Sequence, residues 1–176
     1  MKRIILPYEQ VDLILTRLAH QLVENHDDFN NTALLALQPR GILFGKAIKQ
    51  KLKTLFNIEA TYGELDTTFH RDDFRRTDKP LIPNTVSIDF NIEGKRIVII
   101  DDVLYTGRSI RAALDAINDY GRPDSVELVT LINRKYRREV PIQPDYVGEQ
   151  IDSRVDDYVK VEWEGEQCKV WIITDN

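Results

Sequence analysis

The stretch VIIDDVLYTGRSIR, residues 98–111, decides the fold class of this chain. Its apolar start predicts a buried strand, and two adjacent acids, Asp101 and Asp102, follow at the expected strand end. A loop of four residues, 106–109, then leads into a helical pattern from about 108 to 120. A strand, an acid pair, a loop and a helix in this order need a chemical explanation.

Apolar periodicity on either side of this stretch predicts alternating helices and strands. Continuous rather than alternating apolar runs indicate a mostly parallel sheet flanked by helices, which is an α/β fold. Two further apolar segments, 158–163 and 167–173, predict a C-terminal hairpin. No internal repeat or linker is evident, so we expect a single domain over 1–176. The expected helices are 8–24, 42–53 and 108–120, and the expected strands are 32–37, 58–65, 86–92, 96–101 and 126–132.

Composition excludes several classes of protein. The net charge of −5 over 176 residues argues against a broadly basic nucleic-acid binder, although basic clusters at 71–79 and 134–138 leave room for a local patch. The single cysteine, Cys168, allows no internal disulfide and offers no metal-ligand pair. The N-terminal apolar run is too short for a signal peptide and no segment reaches transmembrane length, so we expect a cytoplasmic protein.

The acid pair and the loop have one joint explanation. Ligands of open α/β sheets bind beyond the carboxyl ends of the strands, and backbone amides at a helix start bind anions. A sugar phosphate would place its phosphate in the loop at 106–109 and its hydroxyls against Asp101 and Asp102. The alternative is a solvated loop or a helix cap. The glycine-rich fingerprints of dinucleotide and P-loop sites are missing, and so is a zinc-protease motif.

This combination resembles the signature of the type I phosphoribosyltransferases, which bind phosphoribosyl pyrophosphate (PRPP). The resemblance covers nearly the whole chain. Within this superfamily the chain most resembles one branch, the bifunctional pyrimidine operon attenuation regulator/uracil phosphoribosyltransferase family. The segments that carry it are LTRLAHQ (15–21), RGI (40–42), GELDTTFHRDDF (63–74), DDVLYTGRSIRAALDAI (101–117), YGRPDSVEL (120–128) and VPIQPDYVG (140–148).

The resemblance implies the type I phosphoribosyltransferase fold and the reaction of uracil with PRPP to give UMP and pyrophosphate. It implies Mg2+ as cofactor, held mainly through PRPP near Asp101 and Asp102, and it implies a homo-oligomer. These two acids would be catalytic and bind the ribose hydroxyls, while a catalytic Arg40 and Gly41 would hold the pyrophosphate. The 5′-phosphate would lie on Thr106, Gly107, Arg108 and Ser109.

Further substrate contacts are expected from Tyr105, from Arg134 and from the charged segment after the third predicted strand. That segment, 71–84, is long and contains two prolines, and we expect a mobile lid there, with a solvated loop as the alternative. Oxocarbenium-like chemistry needs such a cover because water would otherwise hydrolyse PRPP. The segment's expected substrate contacts are Arg71, Asp72 and Asp73.

Tyr105 bears on the choice of base. In phosphoribosyltransferases for hypoxanthine and guanine, the residue just before the Thr-Gly pair carries a carboxylate that assists at the purine ring. A tyrosine cannot replace a carboxylate base near neutral pH, which favours a pyrimidine substrate. The alternatives are that Tyr105 only packs, and that the chain uses another base.

A second function, binding of a leader mRNA in response to uridine nucleotides, follows from the same resemblance. Thr16, Arg17 and His20 match the family at positions expected to contact RNA, although a solvated helix face explains Arg17 equally well. The chain departs from the family at 133–137, where Asn-Arg-Lys-Tyr-Arg replaces Asp-Arg-Gly-His-Arg, and at 152–154, where Asp-Ser-Arg replaces Pro-Thr-Ser. An RNA regulator with little catalysis is therefore the alternative function.

Overall fold

The computed structural model describes residues 1–70, 87–154 and 157–174 of the 176-residue chain. This part of the chain forms eight strands and three α-helices, with one 3-10 turn at Thr68–His70. In chain order the elements are β1 Lys2–Leu6, α1 Tyr8–His26, β2 Thr32–Leu37, α2 Gly41–Phe56, β3 Thr61–Leu65, β4 Arg96–Leu104, α3 Arg108–Ile117, β5 Ser125–Arg134, β6 Tyr146–Ile151, β7 Asp157–Glu164 and β8 Gln167–Thr174.

A five-stranded parallel sheet in the order β3-β2-β4-β5-β6 forms the centre of the molecule. All six residues of β2 are buried, as expected for a strand covered on both faces. Helices α1 and α2 pack on one face around Leu18 and Phe44, and α3 packs on the other through Ile110 and Ala113. The predicted α/β architecture with a mostly parallel sheet is confirmed.

A second, antiparallel sheet has the order β1-β8-β7. The predicted C-terminal hairpin is its β7–β8 pair, and β1 adds to the outer side of β8. Val159, Cys168 and Val170 of this sheet join the core that contains α1 and α2. Contacts between β7 and β4 bring the hairpin to the carboxyl end of the central sheet, where the acid pair lies.

Several predicted element boundaries are wrong. The half-exposed strand expected at 86–92 is absent from the described residues 87–92, where only an isolated bridge joins Ser87 to Glu64. Strand β3 begins at Thr61 rather than 58, because α2 runs on to Phe56 and the chain needs a connection after it. Helix α3 ends at Ile117 rather than 120.

Two strands, β1 and β6, were not predicted from the sequence. Strand β1 is largely exposed, and it is held by pairing with the distant β8. Strand β6 pairs with β5 at the sheet edge and alternates only weakly in burial. The expected lid at 71–84 lies outside the described residues. No described helix has the length and apolarity that a membrane span requires.

Candidate active site

A cavity of about 720 Å³ opens at the carboxyl end of the parallel sheet. Its walls come from the turn after β2, the end of β4 with the following loop, the first turn of α3, the end of β5 and the start of β7. A volume of this order suits a ligand larger than a single base. The position agrees with the general rule for open α/β sheets.

Asp101 and Asp102 both line this cavity. They lie inside β4, which continues to Leu104 and does not end at the acids as the sequence predicted. The N–H of Asp102 donates to Asp101 Oδ1 at 3.0 Å, which holds the first carboxylate against the backbone. Asp102 is only 7% exposed.

The electrostatic environment of the two acids is unfavourable to a second negative charge. Burial raises the pKa of both carboxyl groups, and the neighbouring Asp102 raises that of Asp101 further. The positive charge of Arg40 lowers the pKa of each and offsets part of this effect. Hydroxyl donors and a cation from a ligand would stabilise the ionised pair.

The loop that follows β4 leads directly into α3. Gly107 occupies the N-cap of α3 with φ +89°, a left-handed conformation that glycine adopts without steric cost. Its neighbours Thr106 and Ser109 also line the cavity. Arg108, predicted to bind phosphate with them, is not among the lining residues, and its Nε donates instead to the Glu139 carboxylate. The open first turn of α3 is thus available to an anion.

Arg40 and Gly41 begin α2 on the other side of the acids. The guanidinium of Arg40 lies 5.8 Å from the ring centroid of Tyr158, at the cavity wall. A Cβ on Gly41 would lie 2.4 Å from the carbonyl oxygen of Ile100, so only glycine allows α2 to begin this close to β4. Gly41 therefore positions Arg40 rather than lining the cavity itself.

Tyr105 and Arg134 both line the cavity. The guanidinium of Arg134 stacks 3.9 Å from the Tyr105 ring centroid. It donates from Nε to Ser153 Oγ at 2.8 Å and from Nη2 to the Arg154 carbonyl at 3.0 Å. Burial lowers the pKa of Arg134. The predicted pair is thus brought together at one wall of the cavity.

The lining residues that were not predicted include three of β7, Asp157, Tyr158 and Val159. The hairpin was expected, but nothing in its sequence indicates that it packs over the end of β4. The expected contacts Arg71, Asp72 and Asp73 lie outside the described residues.

The predicted RNA contacts on α1 make contacts within the chain. Arg17 Nη2 donates to the carbonyl oxygens of Val147 and Gly148 in β6, the first at 3.1 Å and the second at 2.5 Å. Thr16 Oγ1 donates to the Asp12 carbonyl one helical turn back. The ring of His20 packs edge-on against Phe56 at 4.8 Å between centroids.

Among the described residues, no three His, Cys, Asp or Glu side chains converge into a metal-binding group. A pair of adjacent carboxylates, of which Asp102 is buried and Asp101 half-buried, nevertheless suits Mg2+, which proteins commonly bind through one or two carboxylates together with substrate phosphates. The residues present therefore fit a magnesium ion that arrives with its substrate, and they do not fit a closed protein site.

Comparison with known proteins agrees with this geometry. The family described as "Phosphoribosyl transferase domain" matches residues 4–167. A relative named Bifunctional protein PyrR from Elusimicrobium minutum is 36% identical and covers 100% of this chain and 99% of its own. A relative of the same name from Picosynechococcus is 42% identical, over 89% and 88% of the two chains.

Solved structures of similar fold include a hypoxanthine phosphoribosyltransferase from Staphylococcus aureus, with a TM-score of 0.70, 21% identity and coverage of 89% and 80%. A hypoxanthine-guanine phosphoribosyltransferase from Bacillus anthracis has a TM-score of 0.69 and 20% identity, over 85% and 83%. At this identity the likeness establishes the fold alone. The predicted enzyme class, a pentosyltransferase that uses PRPP, is confirmed. The chain belongs to the phosphoribosyl transferase domain family, and within it to the bifunctional PyrR proteins that the sequence predicted.

Proposed function

We propose that this chain transfers the phosphoribosyl group of PRPP to uracil, forming UMP and pyrophosphate with Mg2+ as cofactor. The observation that carries the proposal is the joint placement of Asp101, Asp102 and the open helix start at 106–109 around one cavity. Sugar hydroxyls and a divalent ion would bind the acid pair, and a phosphate would bind the helix start.

The acids would bind the ribose and stabilise its transition state. Cleavage of the anomeric C–O bond leaves positive charge on the ribose ring, and the new bond forms between the anomeric carbon and the base nitrogen, which loses its proton. Asp101 and Asp102 accept hydrogen bonds from the two ribose hydroxyls and present negative charge to the ring. Their raised pKa values mean that the ligand itself helps to ionise them.

The leaving group would be held at the start of α2. Negative charge accumulates on the departing pyrophosphate, and Arg40 at this helix start supplies positive charge on the cavity wall. Asp101 and Asp102 would hold Mg2+ together with the substrate, and the ion would supply positive charge that stabilises the leaving group.

The base would lie near Tyr105, at the end of the cavity that β7 closes. Arg134 fixes the Tyr105 ring in place from one side. No carboxylate occupies position 105, so the aid that purine-specific relatives give to a purine ring is missing there. Uracil, with a smaller ring and no such requirement, is the base that this wall favours.

The direct test is pyrophosphate release from PRPP with uracil, hypoxanthine, guanine and orotate side by side, with and without Mg2+. We expect turnover with uracil alone and its loss on chelation. Turnover with a purine or orotate would support the PRPP site but reject uracil as the specific base. Absence of turnover with every base would reject the catalytic proposal.

RNA binding is the second candidate function, because the relatives are named bifunctional. Arg17 remains exposed although its Nη2 already binds two β6 carbonyls. Its Nη1 also donates to Gln21 Oε1 at 3.4 Å, and an RNA phosphate would contact the exposed side of the guanidinium beside α1. We expect binding of the chain's own operon leader RNA to weaken steeply with salt and to respond to UMP.

The matched RNA experiment compares Arg17→Gln with Lys53→Gln, an exposed cation of α2 that pairs with Glu59. A loss confined to Arg17→Gln supports the α1 surface, and equal affinities of both variants with wild type reject it. Light scattering on the same samples tests the expected homo-oligomer, and a monomer mass would contradict that expectation.

A further inference from the structure

The segment 135–140, which follows β5, packs directly against the loop that leads into α3. The backbone N–H groups of Glu139 and Val140 both donate to the carbonyl oxygen of Thr106, at 2.9 and 3.2 Å. This segment is exposed from Lys135 to Arg137 and again at Glu139, whereas Arg138 and Val140 are half-buried. One end of the segment is therefore fixed by the loop it contacts.

Arg138 makes the most directed contact between the two. Its Nη1 donates to the carbonyl oxygen of Tyr105, and its Nη2 donates to Asn133 Oδ1 at 2.6 Å. Asn133 is a buried residue at the end of β5, paired in register with Leu104 of β4. The planar guanidinium thus ties the loop to a rigid strand through two donors of fixed geometry.

The backbone around Arg138 is adapted to this contact. A Cβ on Gly107 would lie 3.4 Å from Arg138 Cδ and 3.5 Å from Val140 Cβ, so the arginine stem lies against the glycine. The preceding residue, Arg137, has φ +77°, a conformation that disfavours residues with a side chain. Such conformations persist where surrounding contacts hold them, commonly near functional sites.

The orientation of the peptide groups gives these contacts a consequence for ligand binding. In a trans peptide the C=O and the following N–H point in opposite directions. The carbonyl of Tyr105 faces Arg138, so the N–H of Thr106 faces the opposite way. The carbonyl of Thr106 faces the amides of Glu139 and Val140, so the N–H of Gly107 also points away from the 135–140 segment.

We propose that Arg138 is a positioning residue for phosphate binding: with the 139–140 amides, it keeps the N–H groups of Thr106 and Gly107 directed at the 5′-phosphate. The proposal rests on the proposed function, which places that phosphate in the loop. Arg138 does not line the cavity, so it acts through the loop and not on the ligand.

The test compares the affinity for UMP with the affinity for uridine, which lacks only the phosphate. The ratio of the two measures the contribution of the phosphate subsite. Arg138→Met keeps the length of the stem and removes both donors, and Arg138→Lys keeps the charge without the planar fork. Arg137→Met is the matched control, since it removes an adjacent exposed cation.

We expect Arg138→Met to lose about 10-fold or more in UMP affinity, the usual effect of a charged hydrogen bond, with uridine affinity within about twofold. Arg138→Lys should lose less, and Arg137→Met should match wild type. In the enzyme assay the KM for PRPP should rise more than kcat falls. The proposal is overturned if the ratio of UMP affinity to uridine affinity in Arg138→Met and Arg138→Lys equals that of wild type. This includes the case in which both affinities fall equally. If wild type itself binds UMP no tighter than uridine, the placement of phosphate in the proposed function fails first.

Discussion

The ionisable groups at the two ends of the parallel sheet lie in opposite electrostatic environments. At the amino end, His26, Glu127 and Tyr146 satisfy one another in a closed network. At the carboxyl end, Asp101 and Asp102 lie side by side with like charge and with raised pKa values. The first arrangement stabilises the fold, and we expect a ligand to complete the second.

The amino-end network joins four elements. His26, from the end of α1, receives a hydrogen bond on Nδ1 from Arg96, and its Nε2 lies 3.0 Å from Glu127 Oε2. Tyr146 donates to the same Glu127 oxygen at 2.5 Å, and Asn25 donates to the Tyr146 hydroxyl at 2.9 Å. Burial and Glu127 raise the pKa of Tyr146 to about 12, so it stays a donor.

The largest predicted effect concerns the carboxyl end. Asp101→Asn and Asp102→Asn should each lower kcat/KM for PRPP by about 100-fold or more, because each removes negative charge from the ribose subsite. The free energy of unfolding should stay equal or rise, because the substitution removes the repulsion between buried Asp102 and half-buried Asp101. Steady-state kinetics and urea unfolding check both. Near-normal PRPP kinetics in both variants would reject the ribose assignment.

The reverse result is expected at the amino end. His26→Leu should lower the free energy of unfolding by about 2 kcal/mol, because the half-buried Arg96 and Glu127 side chains lose their partner. Glu127→Gln keeps an acceptor for Tyr146 and should cost less, about 1 kcal/mol. The kcat/KM of the folded fraction should match wild type in both. A large catalytic loss would show that the two ends are coupled.

The pH dependence of stability should also have opposite signs at the two ends. Burial lowers the folded-state pKa of His26 below 6.5, so its contribution is present above pH 6.5 and is lost as the pH falls from 6.5 towards the lowered pKa. The folded-state pKa of Asp101 is raised above 3.8, so stability is lost as the pH rises from that value towards the raised pKa. Each slope is at most about 1.4 kcal/mol per pH unit.

Urea unfolding across this range, with His26→Gln and Asp101→Asn beside wild type, separates the two slopes. The advantage of Asp101→Asn over wild type should grow as the pH rises, and the penalty of His26→Gln should shrink as the pH falls. Differences that stay constant with pH in both variants would contradict the opposite signs.

The smallest effect is expected at an exposed pair outside both ends. His70 Nε2 lies 3.1 Å from Asp119 Oδ2, with the two side chains 30% and 65% exposed. Asp119→Asn should change the free energy of unfolding by about 0.5 kcal/mol or less, because solvent screens such pairs. A decrease in the free energy of unfolding as large as that of His26→Leu would show that burial does not determine how much such pairs contribute to stability.

The parts of the molecule that the sequence predicted are those with local signals. Continuous apolar runs identified β2 and β4, and one glycine beside two hydroxyl residues identified the loop at 106–109. The parts that it did not predict depend on distant contacts. Strand β1 is held by β8, and the cavity wall of Tyr158 and Val159 exists only because β7 packs over β4.

Arg108 illustrates the same limit at a single residue. Its place between Gly107 and Ser109 suggested a phosphate contact, but the side chain pairs with Glu139, about 30 residues later in the chain. No local sequence pattern around Arg108 predicts Glu139 as its partner. The neighbouring loop residues Thr106, Gly107 and Ser109 line the cavity, whereas the direction of the Arg108 side chain depends on the segment that packs against it.

The most direct test of the central claim is a crystal structure with bound UMP. We expect the 5′-phosphate within hydrogen-bond distance of the amides at 106–109 and the ribose hydroxyls on Asp101 and Asp102. The uracil ring should lie beside Tyr105, under β7. A phosphate bound elsewhere, with both acids facing solvent, would contradict the account.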